Sequence, residues 1–295
     1  MFQNINYYFR GNGAILTYHR VLPDSIVSND SILNIAVSIT NFRKQIEYLK
    51  NNFSILPIDN FLRHINSNSK QFKVLITFDD GYKDNLDYAY PILKEFNVPA
   101  IIYVITKFIG NRFSPWWIKL DDFVRNNRYF KNKNKKFIFF KNILLLSDQL
   151  TIDKQLSLFT KINKKKYDQI FLNHKEIKFL SEQKLITIGS HSHSHYNFSK
   201  LNEKQAFSEL KISKSILEKI IKKKIIHFSY PYGNYENINF QHIKILEQLG
   251  YMSAATTIRK KIDDPNLFLL PRIFVNNDSN LLRIKLKLLG FKKFY

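Results

Sequence analysis

Lys73-Val74-Leu75-Ile76-Thr77-Phe78-Asp79-Asp80-Gly81 decides how the rest of the chain is read. Val74 to Phe78 are apolar or β-branched with no polar alternation, the pattern of a strand buried on both faces. The run stops abruptly on two carboxylates and a glycine. In parallel α/β sheets and barrels the strand ends converge on one face, and that face carries the site.

The same grammar repeats outward from this strand. Residues 14–18 read as a strand running into His19-Arg20, and 185–188 as one running into Gly189-Ser190-His191-Ser192-His193-Ser194-His195. Residues 225–230 lead into Pro231-Tyr232-Gly233, and the run 267–270 into Pro271-Arg272-Ile273. Further strands are predicted at 99–105 and 251–256. Helical spacing occupies 41–50, 82–96, 175–183, 204–223 and 238–249. In 204–223 the apolar face is Ala206, Phe207, Leu210, Leu217, Ile220 and Ile221, interrupted by Ser213 and Lys214. Strand–helix alternation predicts an α/β fold with a mainly parallel sheet. No repeat and no Pro/Gly/Ser-rich linker divides the chain, so a single domain over 1–295 is expected. Between 111 and 173 the pattern loosens into a helical, basic insertion with Trp116-Trp117 and the triplet Lys164, Lys165, Lys166.

Composition narrows the function. The 295 residues are 44% hydrophobic, enough for a sizeable core, which excludes a disordered chain. There is no cysteine, which excludes a disulfide scaffold, a zinc ribbon and a thiol nucleophile. Any metal is therefore held by His and carboxylates. With 46 Lys+Arg against 24 Asp+Glu the net charge is +22. Two readings stay open: an anionic partner, or a lysine-rich composition spread over solvated faces. The basic segment 281–295, with Arg283, Lys285, Lys287, Lys292 and Lys293 among apolar residues, favours peripheral contact with an anionic membrane. An ordinary terminal helix is the alternative. No aromatic–basic module of the nucleic-acid binders is present, so no nucleic acid is expected. No apolar run approaches the ~18 residues of a membrane span, and residues 1–10 lack the apolar core of a secretory leader. The expected location is cytoplasmic, possible membrane contact being at the inner face.

Two clusters carry chemistry. Adjacent carboxylates at a strand end repel unless a cation or proton offsets them, and neighbouring side chains on extended backbone diverge, which gives Asp79 and Asp80 different tasks. A surface Asp-Asp-Gly turn is the competing reading. His191, His193 and His195 form the second cluster. His191 and His195, four apart, share a side of one helical turn, whereas all three share a side of an extended chain. Two imidazoles and one carboxylate leave positions on a metal open for water and substrate.

Taken together, Thr77-Phe78-Asp79-Asp80-Gly81, then His191-Ser192-x-x-His195, then Tyr230-Pro231-Tyr232-Gly233 resemble the motif series of the NodB-homology polysaccharide deacetylases, carbohydrate esterase family 4. The resemblance runs from about residue 14 to 272. It implies a distorted (β/α)7 barrel, a divalent metal, most often Zn2+, and hydrolysis of N-acetyl groups on sugars. It further implies Asp79 as general base, Asp80, His191 and His195 as metal ligands, and the Tyr232 peptide N–H as oxyanion donor. The sequence departs from the family twice. Phe228, Ser229 and Tyr230 stand where an Arg usually precedes Pro-Tyr-Gly, and Arg272 is the candidate substitute. No His follows His242, so the late catalytic-acid His is missing and His19 is the candidate acid. Tyr18-His19-Arg20-Val21 and Leu270-Pro271-Arg272-Ile273 resemble features of envelope-polysaccharide members. The substrate expected on this basis is an acetylated amino-sugar glycan of the surface polysaccharide or its lipid-linked precursor. A non-catalytic carbohydrate-binding or scaffold protein retaining the fold is the alternative. Trp116 and Trp117 are read as core anchors of the insertion, with a sugar-stacking wall as the second option. His64, His174, His227 and His242 receive no role.

Overall fold

The structure is a computed structural model and describes residues 12–27, 34–67, 71–111, 115–144, 151–152, 154–155, 169–262 and 265–291. Lys164, Lys165, Lys166, Lys292, Lys293 and residues 1–10 lie outside the described residues.

Seven parallel strands run side by side: β10 (Ile273–Phe274), β1 (Gly13–Tyr18), β5 (Lys73–Phe78), β6 (Ala100–Val104), β7 (Ile186–Ser190), β8 (His227–Ser229) and β9 (Ser253–Ala255). The short β4 (Ser54–Ile55) pairs with the start of β5, and β2 (Arg20–Leu22) with β3 (Ala36–Ser38) in a separate two-stranded sheet. The segment 270–274 draws the two edges together: Leu270 bridges Ala255 of β9, while Ile273 and Phe274 pair with Leu16 and Thr17 of β1. This is the distorted (β/α)7 barrel that the motif resemblance implies. The run 267–270 is not the strand the sequence pattern predicts. It forms a turn with one bridge, and the strand follows Arg272 instead of preceding it.

Alternation along the strands sorts the core into two layers. Ala14, Leu16, Tyr18, Val74, Ile76, Phe78, Ile102 and Phe228 join the cluster packed against the surrounding helices. Ile15, Leu75, Ile101, Tyr103 and Ala255 form a second cluster inside the barrel. Phe61 and Leu62 of the helix Ile58–Ile65 add to it, Phe61 lying beside Gly13 at the N-terminal mouth. Each such large side chain, fully buried, contributes roughly 1.5–3 kcal/mol. The inner row turns polar toward the C-terminal ends. Thr17 and Thr77 hydroxyls meet at 3.1 Å, and Ser229 follows on β8. The next residues of that row are Asp79 and His191.

The helix Glu203–Ile221 buries Ala206, Leu210, Leu217 and Ile221 as its spacing predicts. Ser213 does not interrupt this face; it is buried, and its hydroxyl meets that of Ser190 at 2.7 Å. The segment 82–96 opens as a π-helix, Asn85–Ala89, before the α-helix Tyr90–Glu95. The insertion carries helices Trp116–Asn126 and Lys133–Leu144, with an apolar cluster that includes Trp116, Trp117, Phe108, Phe137 and Phe171. Among the described residues no helix is long and apolar enough to cross a membrane.

Candidate active site

Register fixes which strand ends meet. β1 and β5 pair from Gly13 with Lys73 to Tyr18 with Phe78, so His19 leaves the barrel beside Asp79. β6 pairs with β7 up to Val104 with Ser190, which places His191 one residue further. His19, Asp79, Asp80, His191, His195, Tyr232 and Arg272 all line one cleft of about 790 Å³.

Asp79 and Asp80 separate because Asp80 adopts a left-handed backbone, φ +74°. Asp79 turns to Arg272, whose two terminal nitrogens donate to its two carboxylate oxygens at 2.8 and 2.6 Å. The guanidinium also donates to the Thr256 carbonyl at 2.6 Å, to Thr77 Oγ1 at 3.3 Å and to Ser229 Oγ at 2.9 Å. Both partners are almost wholly buried. Burial alone opposes ionisation of Asp79, but the Arg272 charge and nearby imidazoles outweigh it and hold the carboxyl well below the usual range.

Asp80 Oδ1 is buried and makes no hydrogen bond within the protein. It faces Nε2 of His191 at 3.4 Å and Nε2 of His195 at 3.6 Å. One ligand atom from each of the three lies within 4.8 Å of the others. Nδ1 of His191 is 2.7 Å from the Ser229 carbonyl, which can only accept, so the ring proton sits on Nδ1 and Nε2 keeps its lone pair for a cation. Burial pushes the His195 imidazole down to about 3, which leaves it neutral and able to ligate. Two nitrogen donors and an orphaned carboxylate oxygen, buried and convergent, fit a divalent cation with open positions.

The His191–His195 pairing does not come from the helical turn that the i,i+4 spacing allows. Residues 191–197 form an irregular loop that bends at His193 and Ser194, with Ser192 at φ +64° and His195 at φ +60°. The His195 N–H donates to Ser192 Oγ at 3.0 Å. His193 points away, its Nδ1 2.8 Å from Thr106 Oγ1. Glu209, on the helix Glu203–Ile221, accepts the peptide N–H groups of His193 at 3.0 Å and Ser194 at 2.7 Å, and so clamps the loop between the two imidazoles. Tyr232 is also left-handed, φ +59°, and its ring lies 4.7 Å from that of His195. Four of the eight described non-glycine residues with positive φ thus belong to this site.

His19 is tied down from the opposite side. Asn85 Nδ2 donates to its carbonyl at 2.8 Å, while Asp84 accepts from the Val21 N–H at 3.0 Å and from Arg20 Nε at 2.9 Å. Its Nδ1 is buried with no partner. Burial lowers its pKa, and the Asp80 and Asp79 charges oppose that shift. Trp116 and Trp117 are core anchors with edges in the cleft: Trp116 Nε1 donates to Tyr232 Oη at 2.8 Å, and Trp117 Nε1 to Tyr82 Oη at 3.2 Å. Asp84, Asn85, Glu209, Ser229 and Tyr82 are the supporting residues that sequence reasoning missed. Asp84 and Asn85 follow Asp80 within one helical turn and offered a local signal; Glu209 offered none beyond a charge on an otherwise apolar face.

The polysaccharide deacetylase family model matches residues 66–254. The chain is 26% identical over 291 residues to the poly-β-1,6-N-acetyl-D-glucosamine N-deacetylase of Staphylococcus epidermidis, covering 92% of this chain and 82% of that one. The Streptococcus pyogenes deacetylase PplD, solved with acetate, superposes with a TM-score of 0.64 at 19% identity, over 95% of this chain and 99% of PplD. IcaB from Ammonifex degensii superposes with a TM-score of 0.62 at 20% identity, over 91% and 94%.

Proposed function

The chain belongs to the polysaccharide deacetylase family, and from that premise we propose that it is a metal-dependent carbohydrate N-deacetylase. Its reaction is hydrolysis of an acetamide on an amino sugar of surface polysaccharide or its lipid-linked precursor, giving acetate and the free amine. The convergence of Asp80, His191 and His195 on one point carries this reading. A divalent cation held there, Zn2+ in our reading, supplies positive charge that polarises a carbonyl and acidifies water.

The chain's own groups perform the rest. Asp79 accepts the proton of the attacking water on a carboxylate oxygen; each oxygen retains a lone pair beside the Arg272 hydrogen bond. Arg272 orients that carboxylate and keeps it ionised until the proton arrives. The Tyr232 peptide N–H, held in place by the left-handed turn, donates to the developing oxyanion, a contribution of about 2.7–4 kcal/mol for such a donor. His19, which lines the same cleft beside Asp79, passes a proton to the leaving amine. The helix Leu281–Leu289 exposes Leu281, Leu282, Arg283 and Lys285, which supports peripheral contact with an anionic membrane, in our reading at its cytoplasmic face; co-sedimentation with anionic vesicles tests the contact.

Metal analysis of the purified protein with an acetate-release screen over N-acetylated glycans tests the activity. Asp79→Asn is expected to abolish turnover with metal retained, and His191→Ala to lose metal. Full activity in the first or unchanged metal content in the second rejects the assignment.

A further inference from the structure

The outer part of the cleft is charged in one sense only. Lys141, from the helix Lys133–Leu144, and Arg259, four residues beyond β9, both line it. The only carboxylates lining it among the described residues are Asp79 and Asp80. Asp79 is already matched by Arg272, and Asp80 faces the two imidazoles. Among the described residues neither Lys141 nor Arg259 has a carboxylate partner, whereas Arg125 in the same insertion pairs with Asp121 at 2.8 Å and Lys83 with Glu176 at 3.2 Å. Lys141 is half-buried, and burial lowers its pKa. It is an ammonium that has given up water without gaining counter-charge, and an incoming anion would supply that charge.

We propose that Lys141 and Arg259 form a subsite for an acidic group carried by the glycan next to the sugar that is deacetylated. The proposal deepens the deacetylase reading and rests on it for the position of the acetamide at Asp79. An ammonium and a guanidinium recognise carboxylate and phosphate alike, the guanidinium by a two-point fork. A neutral homopolymer leaves both cations unanswered. A strand already rich in free amines is repelled, so a chain without acidic units resists extensive deacetylation.

The test is titration calorimetry alongside acetate release on the purified full chain, at low and high salt. Three probes are compared: a hyaluronan tetrasaccharide, in which N-acetylglucosamine alternates with glucuronate; N-acetylglucosamine 1-phosphate; and neutral chitin tetrasaccharide. The acidic tetrasaccharide is expected to bind at least about tenfold more tightly than the neutral one at low salt, with the gap shrinking as salt rises. The double variant Lys141→Met, Arg259→Met is expected to narrow the gap to within about twofold. The phosphate probe decides the source: competition with the hyaluronan tetrasaccharide at low salt assigns phosphate to the same subsite, and its failure restricts the subsite to carboxylate. Equal affinity for acidic and neutral tetrasaccharides, a gap independent of salt, or a gap that survives in the double variant overturns the proposal. Selective acidic binding with no acetate released from any probe keeps the subsite and removes the deacetylase reading. The salt dependence of the unmodified protein needs no variant, so the outcome does not depend on the double variant folding.

Discussion

Arg272→Met is the most informative single perturbation of this barrel. Arg272 is 1% exposed and makes five hydrogen bonds, to Asp79 Oδ1, Asp79 Oδ2, Thr77, Ser229 and the Thr256 carbonyl. Methionine fills part of the volume but supplies no donor. Asp79, 1% exposed, is then a buried carboxylate without its cation. Removing one partner of a buried pair costs about 3–5 kcal/mol, against under about 1 kcal/mol for exposed pairs. A large fraction of a typical domain's stability is therefore at stake. Urea denaturation of wild type, Arg272→Met, Asp79→Asn and the double variant measures it. The double variant removes both charges at once and is expected to be more stable than the sum of the single losses predicts, by at least about 2 kcal/mol. Arg272→Lys is expected to recover little, because three donors on a flexible stem cannot span the positions held by the planar fork. A loss below about 1 kcal/mol for Arg272→Met, or strict additivity in the double variant, refutes the reading of Asp79 and Arg272 as a coupled buried pair.

Three further outcomes are expected. Glu209→Ala leaves the His193 and Ser194 peptide N–H groups without their acceptor; with Asp80 and both imidazoles intact, zinc affinity in chelator competition is expected to fall about 10–100-fold, and an unchanged affinity refutes the clamp. Gly189→Ala would place a Cβ 2.5 Å from the Tyr103 ring; a loss of about 1–3 kcal/mol in thermal unfolding is expected, and wild-type stability refutes the tight approach. Burial, with the Arg259 and Arg283 charges nearby and Asp278 opposing, brings Lys287 from 10.5 down to about 8. Between those values the unfolded chain binds the extra proton, so this residue's contribution to stability rises with pH across about 8 to 10.5. The rise should be missing from the Lys287→Met profile, and identical profiles refute it.

What the sequence revealed of this fold follows the length scale of each signal. β5 is legible to the residue, since five consecutive buried residues form a pattern no exposed segment imitates. β8 and β9 are shorter than their apolar runs, His227–Ser229 and Ser253–Ala255, each losing two residues at the N-terminal end and one at the C-terminal end. The segment 267–270 misleads for the opposite reason: its apolar residues are partly or fully buried, but Leu267 and Leu270 pack into the barrel interior from a turn. Ser213 looks like a fault in an amphipathic helix until Ser190 is known to face it. Of the site, the Asp80, His191 and His195 cluster was legible because metal-binding chemistry restricts residue types. The supports were not, because Glu209 acts through peptide groups 15 and 16 positions away. Arg272 was legible only through the family's motif order, since 193 positions separate it from Asp79.

The displaced arginine shows why such a site tolerates rearrangement. The family pattern draws its guanidinium from the residues before Pro-Tyr-Gly, and here Ser229 occupies that stretch at the end of β8. Arg272 instead approaches from the segment that closes the barrel and donates to Ser229 Oγ as well as to Asp79. The inner row is a ring, so a side chain entering between β9 and β10 reaches the same central volume as one from β8. What the chemistry constrains is a buried carboxylate facing one planar cation, with hydroxyls from Thr77 and Ser229 and the Thr256 carbonyl taking up the remaining donors. Which strand supplies the cation is constrained only by volume: one large side chain fits, and its former position must become small. Serine at 229 meets that condition and contributes an acceptor. The same residue's carbonyl fixes the tautomer of His191, so this small residue is bound at once to Arg272 through its hydroxyl and to His191 through its carbonyl. Stability alone accounts for the pair, since a buried carboxylate left without its cation costs about 3–5 kcal/mol, so turnover in Asp79→Asn, and not the guanidinium 2.6 Å from a buried carboxylate, separates a working site from a vestigial one.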